Sequence, residues 1–208
     1  LLTLRKGNGD IDGRPFELHY LKYCEVLLLD HAESMKIDCL DDCKVFIGAC
    51  RGIVTIHDCM GCSFTVACAK LEIRNCEDCA FYSAISGTPD DADMNSVEGG
   101  PLLFGECVNL SFAPFNGAYQ AHTDHLEAAE LDFMSTTSSN LWSSIRDQTG
   151  SANSVKCWRL LDESEEDVIW NAEESAEMNI STIPRIPVTY LRQGPLNPSS
   201  CEKVVNGL

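Results

Sequence analysis

The chain has 208 residues, enough for one domain with its own hydrophobic core and a substantial tail. It carries 32 acidic and 15 basic residues, a formal net charge of −17 and no Lys/Arg cluster, which argues against nucleic acid or an anionic membrane as a direct partner. No apolar run approaches the roughly 18 residues of a membrane span, and the first residues lack the layout of a signal peptide, so we expect a soluble protein of the cytoplasm.

Residues 1–14 form a charged, glycine-rich lead-in without a regular apolar pattern. A repeat begins at Pro15. Its markers are four cysteines, Cys24, Cys43, Cys62 and Cys79, which follow one another at intervals of 19, 19 and 17 residues. Apolar residues fall into columns around them. Six residues before each cysteine stand Leu18, Ile37, Ile56 and Ile73, and two residues after stand Val26, Val45, Phe64 and Phe81.

Within each repeat the apolar residues lie two apart, which is the period of a strand with one buried face. A unit of 17 to 19 residues corresponds to about 60 Å of extended chain at roughly 3.3 Å per residue, enough for one turn of a flattened or three-sided coil. It is too short for a βαβ crossover, which needs about 30 residues. The sequence therefore predicts an all-β fold, a parallel β-helix over residues 15–115.

The twelve cysteines have three possible explanations. A disulfide framework is typical of small secreted domains and fits this chain poorly. The pairs Cys59-x2-Cys62 and Cys76-x2-Cys79 have nearly the spacing of a zinc ribbon. However, the recurring cysteine belongs to a register with its own apolar columns, and continuing that register places Val108 at the cysteine position, where valine can replace a packed thiol but not a ligand. We therefore predict no bound metal or other cofactor, and a structural core row of Cys24, Cys43, Cys62, Cys79 and Val108.

Beyond the fourth repeat the pattern changes three times. An acidic stretch at 87–100 interrupts the register and is expected to be an inserted loop. A last coil follows at 101–115. The apolar period then becomes helical near 118–130, and we expect this helix to cap the open end of the β-helix. The extension at 151–208 is first acidic and then punctuated by prolines.

His122 and His125 lie three apart on one face of the predicted helix. That spacing suits two metal ligands, but the sequence offers no third ligand. Packed or surface histidines are therefore the preferred interpretation.

Several segments carry a resemblance to a known family. They are Cys43-Lys44-Val45-Phe46-Ile47-Gly48, Cys59-x2-Cys62, Ala67-Cys68, Ile73-Arg74-Asn75-Cys76, Phe112-Ala113-Pro114-Phe115 and Asn140-Leu141-Trp142-Ser143-Ser144-Ile145-Arg146-Asp147. Together they resemble the tubulin-binding cofactor C family (C-CAP/cofactor C-like domain), and within it the branch of the X-linked retinitis pigmentosa protein. The resemblance covers roughly residues 10–150. It implies a right-handed β-helix domain at 15–150 that docks on small ADP-ribosylation-factor-like GTPases or on tubulin, in the cytosol, cilia and basal bodies.

In GTPase-activating members of that family, the coil matching residues 68–76 reads Gln-Gln-(Phe/Leu)-Arg, and its arginine is a finger that neutralises charge on the transferred phosphoryl group. The matching stretch here is Ala69-Lys70-Leu71-Glu72. Glu72 lies between two inward residues and is expected to face outward, where a carboxylate opposes phosphoryl transfer. Arg74 shares that face but is displaced by about 6.6 Å along the strand, too far for a constellation that tolerates little misplacement.

Three functions follow from this sequence. The preferred hypothesis is a non-catalytic interaction module of the ciliary or microtubule cytoskeleton. Its partner-binding surface contains Lys70, Glu72 and Arg74, and its partner is tubulin, an axonemal protein or an ADP-ribosylation-factor-like GTPase. The second hypothesis is a GTPase-activating protein that uses Arg74 or Lys70. The third is a zinc or redox protein built on the CxxC pairs.

Overall fold

The computed structural model describes residues 2–87, 100–133, 140–148, 157–161, 170–172 and 186. Within these ranges the chain forms parallel strands and one short helix. The strands are β1 (Leu2–Lys6), β2 (Phe16–Lys22), β3 (Cys24–Ala32), β4 (Met35–Asp41), β5 (Lys44–His57), β6 (Ser63–Arg74), β7 (Ala80–Ile85), β8 (Pro101–Phe104), β9 (Leu110–Pro114), β10 (Gly117–Ala118), β11 (Arg146–Asp147), β12 (Trp158–Leu160) and β13 (Trp170–Asn171). The helix α1 (His122–Ala128) lies between β10 and β11.

The strands wind into a coil with two walls. The first wall contains, in order, β1, β3, the first half of β5, the first half of β6, β7, β9 and β12. The second wall contains β2, β4, the second halves of β5 and β6, β8 and β11. Each coil therefore adds one parallel strand to each wall, which confirms the parallel β-helix predicted from the short repeat.

The predicted apolar columns are the rows of side chains that fill the inside of the coil. Val26, Val45, Phe64, Phe81 and Phe112 occupy one row of the first wall, and each is 0% exposed. The Phe64 and Phe81 rings stack with centroids 5.3 Å apart, and those of Phe81 and Phe112 stack at 5.2 Å. Identical neighbours thus stack along the coil axis, because parallel register repeats the same position in every coil.

The recurring cysteines have a local reason to recur. Cys24, Cys43, Cys62 and Cys79 are all buried where the second wall turns into the first. In each, the thiol donates to the backbone carbonyl two residues earlier, at sulfur–oxygen distances of 3.2 to 3.3 Å. Cysteine is small and apolar enough for the core and still supplies a weak donor to a corner carbonyl.

The corners on either side of this turn use the left-handed backbone region. One column holds Tyr23, Asp42, Gly61, Asp78 and Asn109, with φ angles between 49° and 64°, and all but the first of these are Asp, Asn or Gly. Asp, Asn and Gly are the residues that tolerate this region best. The corners are therefore encoded by residue type as well as by spacing.

The prediction for Val108 is wrong. Val108 pairs with Glu77 on the outside of the corner and is 42% exposed, whereas Leu110 is 0% exposed and takes the cysteine position. The shift of two residues has two sources. Leu103 pairs with Ile73, which puts β8 one residue later in the chain than the predicted register. Phe104 then pairs with Arg74 while Val108 N–H donates to the Cys76 carbonyl, so two residues stand opposite Asn75. The Asn75 side chain fills this irregular corner by accepting from the Glu106 N–H at 3.3 Å. A one-residue insertion of this kind leaves no mark on the apolar columns.

The predicted helix is present, but it lies against the side of the coil rather than over an open end. Its contacts are with β3 and β5 of the first wall. Phe46, which points outward from β5, is 0% exposed because Phe115, Tyr119 and Trp170 pack edge-on around it, at centroid distances of 6.1, 5.6 and 5.2 Å. In the middle of the first wall, β3 and the first halves of β5 and β6 are therefore buried on both faces.

Phe115, β10, Tyr119, α1 and β13 lie on the outside of the first wall, and we call them the cover. The cover approaches β5 so closely at position 48 that only glycine fits there. A Cβ on Gly48 would lie 2.4 Å from the Tyr119 hydroxyl oxygen and 3.0 Å from the Leu28 and Asp30 carbonyl oxygens. Any other side chain at position 48 would push Tyr119 away from β5.

The coil is longer than the predicted 15–115. Strand β1 lies in the lead-in and pairs with β3, and β12 lies in the extension and pairs with β9. Both are single short strands without a cysteine marker of the repeat, so the pattern did not reveal them. The predicted loop at 87–100, apart from its first and last residues, and most of the extension at 151–208 lie outside the described residues.

Candidate functional site

The outer face of the second wall carries the residues singled out by the sequence. In β6 the side chains of Leu71 and Ile73 point into the coil and are 0% exposed, so Lys70, Glu72 and Arg74 project from the opposite face. The structure thus brings together the three residues predicted to form a partner-binding surface. That they bind a partner stays a prediction.

Contacts on this face engage all three charges. The Lys70 ammonium lies 3.3 Å from a Glu72 carboxylate oxygen, and both side chains are less than a third exposed. The Arg74 guanidinium lies over the Phe104 ring at 4.4 Å from its centroid. Ala69, where the resemblance implies a glutamine, is 4% exposed and offers only a methyl group. The Glu72 carboxylate is therefore paired with the Lys70 ammonium, while the Arg74 guanidinium is engaged with Phe104.

The ion pair between Lys70 and Glu72 adds little to the stability of the fold. A pair this close to solvent contributes about 0 to 1 kcal/mol, so a docking protein can open it at little cost. Opening it releases Lys70 but leaves the Glu72 carboxylate on the same surface. Position 72, where the resemblance implies an arginine, therefore keeps its negative charge when the lysine moves away.

This face is less acidic than the chain as a whole. Rows that run across the second wall place basic Lys36, Lys70, Arg74 and Arg146 alongside acidic Glu17, Asp38 and Glu72. The whole chain has a formal net charge of −17. A slight excess of basic side chains on one face of an acidic protein favours a partner with an acidic or mixed surface.

The CxxC cysteines are hydrogen-bond donors in the coil. The thiols of Cys59, Cys62, Cys76 and Cys79 each donate to the carbonyl two residues earlier, at 3.1 to 3.2 Å. The hydrogen bond with Cys59, together with burial, raises the pKa of Cys76. Since zinc requires thiolates, this arrangement gives the zinc or redox hypothesis on the CxxC pairs no support.

Ligand-type side chains converge in two other places among the described residues. Asp38, Cys39 and Asp58 form a group at an outer corner of the coil, and Asp30, His31 and His125 form a group under the helix. The sequence pointed to His125 but offered no third ligand. In the sequence, the second group is visible only as the pair Asp30-His31, which interrupts the apolar run of β3. That this pair meets His125 depends on where α1 packs, which the sequence does not define.

His122 is buried beside this second group but serves the cover. Its ring stacks on Phe115 at 5.1 Å and is tilted against Tyr119 at 4.9 Å. Burial, and to a lesser extent the neighbouring His125, lowers the pKa of His122 to about 4, although a hydrogen bond to the Gly48 backbone acts in the opposite direction. His122 is therefore neutral at physiological pH and behaves as a packed aromatic ring.

Among the described residues, no helix has the length and apolar character needed to cross a bilayer.

Two comparisons with known proteins agree with each other. A family model described as tubulin binding cofactor C matches residues 13–148. TBCC domain-containing protein 1 of Xenopus tropicalis is 24% identical over 159 residues, which make up 76% of this chain and 26% of that protein. The chain thus spans about a quarter of the length of this relative. Because the family model matches more than half of the chain, the protein belongs to the tubulin binding cofactor C family.

Proposed function

We propose that this chain is a non-catalytic binding module of the microtubule cytoskeleton that docks through the outer face of the second wall. Its partner is tubulin, an axonemal protein or a small ADP-ribosylation-factor-like GTPase, and its place of action is the cytoplasm, the cilium or the basal body. Membership in the tubulin binding cofactor C family supports the link to tubulin. The assignment to the retinitis pigmentosa branch stays part of this proposal.

The observation that carries the proposal is the side chain at position 72. An arginine finger contributes roughly 10³ to 10⁵ in rate where it operates. Here the position holds a carboxylate on the outer face, 3.3 Å from Lys70. A negative charge facing the developing phosphoryl charge raises the barrier instead of lowering it. The face can therefore bind a GTPase without accelerating hydrolysis.

We place the docking face on the second wall because the cover occupies much of the outer face of the first wall. The outer face of the first wall is occupied by the cover that includes Phe115, Tyr119 and Trp170. The outer face of the second wall keeps exposed side chains, among them Glu17, Lys36 and Arg74. The second wall therefore presents a row of outward side chains that the cover leaves accessible to a partner.

The test measures binding and hydrolysis with the same proteins. The full chain is immobilised and probed with tubulin and with GTP-loaded ADP-ribosylation-factor-like GTPases, and GTP hydrolysis is followed under single-turnover conditions. We expect binding to at least one of these, weakened by Arg74→Ala and by Glu72→Arg, with hydrolysis at the partner's intrinsic rate. The matched charge reversal Glu127→Arg, exposed on α1 above the first wall, should leave binding unchanged.

Two results would overturn the proposal. A stimulation of about a hundredfold or more that Arg74→Ala abolishes would show that Arg74 supplies the finger, which is the alternative hypothesis of a GTPase-activating protein. Loss of binding in Glu127→Arg but not in Arg74→Ala would place the docking surface on the other side of the coil.

A further inference from the structure

Three distant segments of the chain meet at one buried polar cluster. Asp30 of β3 is 0% exposed, and one of its carboxylate oxygens, Oδ1, lies 3.3 Å from His31 Nδ1 and 3.6 Å from Nε2 of His125 in α1. From the lead-in, Asn8 Oδ1 lies 3.2 Å from the same His125 Nε2. Ligand atoms of Asp30, His31 and His125 thus lie within 4.8 Å of one another, and Asn8 Oδ1 approaches the last of them from the lead-in.

The carboxylate in this cluster is held by backbone hydrogen bonds. Its Oδ2 accepts from the Ile11 and Asp12 N–H groups at 2.7 and 2.9 Å, and its Oδ1 accepts from the His31 N–H at 2.9 Å. These three backbone N–H groups hold the buried carboxylate in one orientation. A buried carboxylate of this kind requires a positive counter-charge. Among the described residues its ion-pair partners are two imidazoles, His31 and His125, with no Lys or Arg.

We propose that Asp30, His31 and His125 bind a zinc ion, with the Asn8 side-chain oxygen as the fourth ligand. Bonds of about 2.0 to 2.1 Å in a tetrahedron separate neighbouring ligand atoms by about 3.3 to 3.4 Å. Three of the six spacings among these atoms, at 3.2, 3.3 and 3.6 Å, differ from that value by no more than a few tenths of an ångström. Two imidazole nitrogens favour zinc over calcium or magnesium, which prefer oxygen ligands.

The surroundings orient the ligands as a metal site requires. The Tyr119 hydroxyl lies 2.9 Å from His125 Nδ1, so it can accept the Nδ1 proton and leave the Nε2 lone pair directed at Asp30. The two backbone N–H groups on Asp30 Oδ2 fix the carboxylate so that Oδ1 faces both imidazoles. The His31 side chain is 24% exposed, which gives an ion a path from solvent.

Such an ion would cross-link three parts of the chain beneath the cover. The ion would join the lead-in through Asn8, the first wall through Asp30 and His31, and α1 through His125. These ligands lie far apart in sequence, so binding would stabilise the folded arrangement relative to the unfolded chain. This role is separate from docking on the second wall and does not depend on the partner.

The experiment uses the full chain, stripped with EDTA, dialysed and titrated with Zn²⁺. We expect one zinc per chain by elemental analysis, a higher unfolding temperature with Zn²⁺ than with Mg²⁺, and a Co²⁺ derivative whose visible bands report nitrogen and oxygen ligands. His31→Ala, which removes the more exposed of the two imidazole ligands, should weaken zinc binding by at least about tenfold. His31→Gln is the second variant if the alanine protein does not fold.

The matched control is Cys39→Ala, in the exposed group of candidate ligands at the outer corner. It should bind zinc as the native protein does. Absence of zinc binding, a thiolate-to-cobalt charge-transfer band, or retained affinity in a folded His31 variant would each refute the site. Loss of zinc in Cys39→Ala would move the ion to the corner and refute it equally.

Discussion

Replacing Phe46 with alanine should detach the cover from the first wall while leaving the coil in place. The Phe46 ring is the point of contact between β5 and three aromatic residues of the cover. A Cβ on Gly117 would lie 2.4 Å from the same ring, which shows how closely β10 approaches it. Removal of the ring therefore takes away an apolar contact that Phe115, Tyr119 and Trp170 share.

The magnitude follows from burial and geometry. A buried Phe to Ala change costs about 3 to 5 kcal/mol in free energy of unfolding. Phe46 is 0% exposed, and its three edge-on ring contacts contribute about 0.5 to 1.5 kcal/mol each as part of that cost. We therefore expect a loss of about 4 kcal/mol.

The assay is urea unfolding combined with hydrogen exchange, and Phe64→Ala is the matched control. Phe64 is equally buried but stacks inside the coil on Phe81. Phe46→Ala should lose amide protection mainly in α1 and at the β10–β13 pair, whereas Phe64→Ala should lose it in the strands of the coil. A loss below about 1 kcal/mol for Phe46→Ala, or the same exchange pattern in both variants, would show that the cover does not depend on this ring.

Three further predictions test the register, the buried histidine and the thiols. Leu110→Ala should cost about 2 to 5 kcal/mol in urea unfolding and Val108→Ala within about 0.5 kcal/mol; the reverse order would restore Val108 to the core. Because the pKa of His122 falls from 6.5 to about 4 on folding, the unfolded chain binds more protons between these values, so stability in EDTA should decrease by about 3 kcal/mol as the pH is lowered through that range. His122→Phe should remove most of that dependence, and an unchanged pH profile would contradict the assignment. Iodoacetamide on the native protein, followed by peptide mass analysis, should label Cys39 ahead of buried thiols such as Cys50, whose pKa burial raises to about 12; prior labelling of Cys50 would contradict the burial argument.

The fold was predictable because each coil repeats the same constraints. Inward residues at a period of two, a corner cysteine and a corner Asp, Asn or Gly recur with nearly constant spacing, so a single alignment revealed the architecture. The errors lie where the repeat is broken. A one-residue offset of β8 and the additional residue opposite Asn75 together exchanged Val108 for Leu110, and the single short strands β1 and β12 had no repeat to identify them.

The cluster at Asp30 could not be predicted for a different reason. Its members come from the lead-in, the second coil and the helix, and the sequence defines no register between these parts. His125 was visible as a histidine on a helical face, and Asp30 as a polar residue in an apolar strand. Their 3.6 Å contact exists only because α1 packs on the side of the coil instead of across its end.

The same packing decides which face of the protein is available to a partner, and here the sequence did contain a signal. Residues 26–29 of β3 are all apolar, and continuous apolar runs are typical of strands buried on both faces. In the second wall, Glu17, Lys36, Thr55 and Glu72 occupy one outward row across four consecutive coils, alternating along each strand with buried or half-buried residues. Alternation of this kind indicates a wall with one solvated face. Under the proposed function, a partner docks on the row that contains Glu72, and the charge at that position decides whether docking assists phosphoryl transfer.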